Sequence, residues 1–67
     1  MKITLLQILN LLCSDETIII WDNKYMTNKI FVGNPFRCKC EYMHLLNCEV
    51  FQIIGHDDAL EILLRGE

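Results

Sequence analysis

No stretch of this 67-residue chain approaches the run of about 18 apolar residues that a membrane-spanning helix requires. Proline occurs once, at Pro35, and glycine three times, which leaves no linker, repeat or low-complexity tract. The length allows one domain, residues 1–67. Four cysteines fall short of a disulfide scaffold, and Cys38 and Cys40 are too close in sequence to bridge comfortably. No export signal is expected either. Leu11-Leu12-Cys13-Ser14 has the outline of a lipoprotein cleavage site, but Leu12 stands where a small residue is needed. Gln7 and Asn10 break the apolar run before it, and only Lys2 supplies positive charge. The expectation is a cytoplasmic protein with free thiols.

Acidic residues are absent from positions 23–40, which carry Lys24, Lys29, Arg37 and Lys39. Positions 41–67 reverse the balance, with Glu41, Glu49, Asp57, Asp58, Glu61 and Glu67 against Arg65 alone. The net charge of −3 argues against nucleic acid and anionic membranes as partners.

Hydrophobic residues make up 52% of the chain. So small a domain buries only about 60% of its unfolded surface, and the excess of apolar side chains points to a homo-oligomer. Its most strand-like run is Thr17-Ile18-Ile19-Ile20-Trp21-Asp22, rich in β-branched residues and ending in turn formers. Ile18 and Ile20 project to one side, Ile19 and Trp21 to the other, so both faces need cover.

Before it, Thr4-Leu5-Leu6-Gln7 fits a capping box, and Leu5, Ile8, Leu9 and Leu12 form one face of a helix reaching Cys13. Ser14-Asp15-Glu16 is expected to end that helix. Lys29 to Gly33 reads as a returning strand, and Gly33-Asn34-Pro35 as a break. Phe36 to Cys40 is ambiguous, and Glu41 to Leu46 suits a short helix. Val50 to Ile54 and Ala59 to Leu64 read as two further strands about the turn Gly55-His56-Asp57-Asp58. The expected class is α+β: an N-terminal helix on a small antiparallel sheet of about four strands, in the order helix, hairpin, short helix, hairpin. One such helix covers one sheet face. A second copy would cover the other through Ile19 and Trp21, with Leu6 and Leu11 on the broad helix face joining the interface.

Cys38-x-Cys40-x3-His44-x3-Cys48 offers three thiolates and an imidazole, the ligand types of a zinc site. Each gap is one residue shorter than in a zinc knuckle, so packing cysteines without a cofactor are the simpler expectation. A cysteine nucleophile with His44 or His56 as base lacks any flanking signature, and His56-Asp57-Asp58 suits a turn. The chain therefore reads as a non-enzyme. The basic residues Lys24, Lys29, Arg37 and Lys39, interleaved with Tyr25, Phe31, Phe36 and Tyr42, form a second candidate site, for a nucleotide signal sequestered by an oligomer. Against it stands an edge strand guarded by lysines.

The opening of the helix at Thr4 with Leu5-Leu6, the strand Thr17 to Asp22, Phe31-Val32-Gly33, and Val50…Ile53…Leu60-Glu61-Ile62 together resemble small proteins of phages and mobile elements. Their hosts are mostly low-GC Gram-positive bacteria. The resemblance implies anti-defence company, anti-CRISPR proteins included, and so a non-enzymatic inhibitor that binds a host defence protein or complex in the bacterial cytoplasm. Its partner surface would be acidic, formed by Glu41, Glu49, Asp57, Asp58 and Glu61, and would fill a basic groove meant for nucleic acid.

Overall fold

The computed structural model describes residues 2–13 and 15–66. Helix α1, Leu5–Leu9, begins where the capping box places it: the Gln7 amide donates to Thr4 Oγ1 at 3.3 Å, and the Thr4 amide donates to Gln7 Oε1 at 2.8 Å. Two more first-turn amides, of Leu5 and Leu6, donate to the carbonyls of Cys48 and Leu46. The helix start is thus tied to the middle of the chain. Its end comes earlier than the periodicity predicts. The Leu11 and Leu12 amides bond three residues back, tightening the last turn and leaving Leu11 81% exposed. Ser14, expected to close the helix, lies outside the described residues.

Strand β1, Ile18–Trp21, and strand β2, Lys29–Gly33, form the first hairpin. Strands β3, Val50–Gly55, and β4, Leu60–Leu64, form the second. The class is α+β as expected, and the sheet runs β2-β1-β4-β3. One detail differs from an all-antiparallel sheet: the hairpins meet through β1 and β4, which are parallel, with Ile18 opposite Leu60 and Ile20 opposite Ile62. The two most apolar strands are therefore central, each flanked by hydrogen-bonded neighbours.

Between the hairpins lies helix α2, Pro35–Glu41, over the segment that periodicity left ambiguous. Asn34 caps it, its Oδ1 accepting from the Arg37 amide at 2.7 Å, and Pro35 opens the first turn, where its missing amide costs nothing. The break read at Gly33-Asn34-Pro35 is therefore a helix start. A 3-10 turn, Met43–Leu45, follows.

All the helical material packs on one face of the sheet. Leu5, Ile8 and Leu9 from α1 and Cys38 from α2 close over Ile18, Ile20, Phe31, Ile62 and Leu64. Tyr42, Leu45 and Leu46 pack around this core. The Phe31 ring meets Tyr42 edge-on at 5.2 Å and lies over Gly33, where a Cβ would come within 2.9 Å of it. No helix among the described residues is long and apolar enough to cross a membrane.

Candidate functional site

The opposite face of the sheet carries no helical layer among the described residues. Pairing across all four strands sets out two rows on it: Val32, Ile19, Glu61 and Ile54, then Lys29, Trp21, Leu63 and Gln52. The alternation of strand side chains places these together once the hairpins join in parallel. Ile19, Trp21 and Ile54 are half-buried and Val32 is exposed, while Leu63 is 2% exposed.

A polar network crosses this apolar ground. Lys29 Nζ lies 5.5 Å from the centre of the Trp21 ring, a cation–π distance. Trp21 Nε1 donates to Glu61 Oε1 at 3.4 Å, and His56 Nε2 meets Glu61 Oε2 at 3.0 Å. The hydrogen bond from His56 holds the Glu61 carboxyl below its ordinary range. Desolvation works against that, and Trp21 and Lys29 add to it. The result is a carboxylate fixed in place at the centre of an indole-lined face.

The acidic set proposed as a partner surface is divided. Glu41 pairs with Arg37 on α2 at 2.7 Å, and Glu49 with Arg65 at 3.3 Å. Asp57 and Asp58 are exposed in the β3–β4 turn, next to the His56–Glu61 pair. Glu61, Asp57 and Asp58 thus share one end of the second hairpin, while Glu41 and Glu49 sit elsewhere. Of the residues assigned to an oligomer interface, Ile19 and Trp21 are on the open face, whereas Leu6 lies in α1 and Leu11 just past its end, 81% exposed. A single flat interface cannot use both pairs.

The zinc set does not converge. Cys38 and Cys40 are two residues apart on α2, roughly 200° around the helix from each other. Cys38 is fully buried, and burial pushes its thiol up to about 11, while Cys40 and His44 are exposed and Cys48 is half-buried. Among the described residues no three metal-ligating side chains come together.

The basic set also splits. Arg37 and Lys39 belong to α2, Lys29 to the open face, and Lys24 to the β1–β2 loop. Lys24 enters instead a cleft of about 380 Å³ at one end of the sheet, with Tyr25, Phe51 and Arg65. Neither Phe51 nor Arg65 stands out in the sequence, since only the β3–β4 and β1–β4 pairings bring them to Lys24. No family model, curated protein or solved structure matches this chain.

Proposed function

We propose that the protein is a non-enzymatic binding module that grips another protein with the open face of its sheet. In line with the resemblance of its sequence to phage and mobile-element proteins, the partner is a host defence component that it inhibits in the bacterial cytoplasm. The observation that carries this is the patch of Ile19 and Trp21 on central strand β1 with Val32 and Ile54 on the two edge strands, with no helical layer over it among the described residues. Monomeric proteins keep such contiguous apolar ground small, and tryptophan is the residue most often found at the energetic centre of an interface. Lys29, Glu61 and Gln52 provide polar contacts among the apolar ones. Asp57 and Asp58 add negative charge at one edge, suited to a basic groove that would otherwise hold nucleic acid. Without a partner, a second copy covers the same face, giving a homodimer. Cys38, the most deeply buried thiol, stays protonated, which favours a packing role over a nucleophilic one.

Competition decides the matter. The wild-type protein should displace guide RNA or target DNA from a purified CRISPR effector complex, and Trp21→Ala should weaken that displacement by at least about tenfold. Asp57→Lys with Asp58→Lys should weaken it as well. Displacement by Trp21→Ala equal to that of the wild type would overturn the role given to the open face. Failure of the wild type against all effector types tested would overturn the defence target.

A further inference from the structure

Beyond the open face, the cleft at the end of the sheet has a chemistry of its own. Its walls come from three places far apart in sequence: the β1–β2 loop, the start of β3 and the tail of β4. Two of its residues are aromatic and two are cationic. Tyr25 is 73% and Phe51 44% exposed. Phe51 is there because the β3–β4 register slips between Val50 and Gln52, a bulge that takes it out of the regular alternation. The Lys24 ammonium sits between the rings, 5.2 Å from the centre of Tyr25 and 5.6 Å from that of Phe51. Among the described residues Lys24 makes no ion pair, and Glu49 steadies Arg65 from outside the cleft lining.

The loop holding Lys24 and Tyr25 is braced from within. Asp22 accepts from the Asn28 amide, the Asn28 side chain and Thr27, while Asn23 accepts from the Tyr25 amide and donates to Thr27. Met26 closes the loop with a positive φ of 57°, a conformation uncommon for a non-glycine residue. On the other side Gly66, at φ 64°, lets the β4 tail close against the loop: a Cβ there would come within 2.8 Å of Asn23 Cβ. The cleft is therefore shaped before any ligand arrives, and its volume falls in the usual range for small-molecule sites.

We propose that this cleft binds a nucleotide, with the base against Tyr25 and Phe51 and the phosphates between Lys24 and Arg65. Phosphate draws the Lys24 ammonium away from the rings, and the base takes the vacated aromatic surface. Stacking on aromatic rings tolerates any base, while charge-assisted hydrogen bonds to phosphate supply the anion preference. The residues differ from the basic island of the sequence: Lys24 remains, Arg65 and Phe51 enter, and Arg37 and Lys39 drop out.

Amide chemical shifts followed during titration with ADP, adenosine and pyrophosphate test the assignment. ADP should move the resonances of Tyr25, Phe51 and Arg65, and bind about tenfold more tightly than either adenosine or pyrophosphate. Lys24→Ala and Arg65→Ala should each weaken ADP about tenfold. Phe51→Ala, at a half-exposed site outside the core, should weaken ADP and adenosine but leave pyrophosphate unchanged. Arg37→Ala and Lys39→Ala should bind as the wild type does. No shift with millimolar ADP, shifts confined to α2, or full ADP affinity in Phe51→Ala would each overturn the proposal. Trp21→Ala should keep ADP binding, which separates this site from the protein-binding face.

Discussion

The two sides of strand β1 carry almost the same residues and have opposite fates. Ile18 and Ile20 are completely buried beneath α1 and α2, whereas Ile19 and Trp21, one residue out of phase, are half-buried beside lysine and glutamate. Composition does not separate them. What does is the supply of cover: both helices and the 3-10 turn land on the same face, because α1 is tied by its first amides to Cys48 and Leu46 and α2 starts straight out of β2. A chain of this size has one helical layer to give. The other face is dressed with an indole, an ammonium and a hydrogen-bonded carboxylate, which keep it wettable while leaving its apolar area available.

Truncating each face in turn gives the largest expected contrast. Ile20→Ala should cost about 2–5 kcal/mol, since it removes a fully buried side chain and leaves a cavity. Ile19→Ala should cost about 1 kcal/mol, the span of strand-propensity differences. Urea midpoints of the two variants, taken at protein concentrations low enough to keep the chain monomeric, measure the difference, and equal losses there would mean that one chain seals both faces by itself. Cysteine substitution probes a smaller contrast, between the inner and outer sides of α2. Cys38→Ser buries a hydroxyl in an apolar core and should cost about 1–3 kcal/mol, while Cys40→Ser should lie within about 0.5 kcal/mol of wild type. A chelator should leave the melting temperature of the wild type and of both variants unchanged. If it lowers the wild-type value, the four proposed ligands gather around metal after all.

The smallest effect belongs to acid. Glu61 and Asp22 both titrate below their ordinary values when folded. For Glu61 the leading cause is the His56 hydrogen bond; for Asp22 desolvation is outweighed by hydrogen bonds from Asn28 and Thr27. Depressed carboxylates add stability that is fully present above their unfolded values, about pH 4, and is lost as pH falls through the folded ones. Denaturation midpoints should therefore stay level as pH is lowered towards 5 and decline below about 4. Glu61→Gln should make that decline shallower, and an unchanged slope would show that the open-face network contributes no linkage.

Much of the architecture was legible because it is local. The capping box at Thr4 and Gln7, the strand from Ile18 to Trp21 and the boundaries of β2 follow from neighbouring residues. Asn34-Pro35 shows where local signals are two-sided: the same pair can end a strand or open a helix, and here it does both. The candidate sites were less legible. Trp21 was visible as an uncovered aromatic, but its link to Glu61 depends on the parallel register of β1 and β4, which no turn or spacing announces. Arg65 and Phe51 were missed for the same reason, since register between distant strands is set by packing and not by adjacent residues.

That parallel join also sets a timetable for synthesis. Ile18 pairs with Leu60, so β1 is translated long before its second neighbour exists. Until β4 is made, β1 has ladder partners on one edge only, and Ile62 and Leu64 are absent from the apolar bed of the helices. An early hairpin of β1 and β2 would present a bare, hydrophobic strand to every other nascent chain nearby. The sheet is therefore complete only when a strand some forty residues downstream pairs with β1, and contacts of that sequence separation slow folding and lengthen the time β1 spends uncovered.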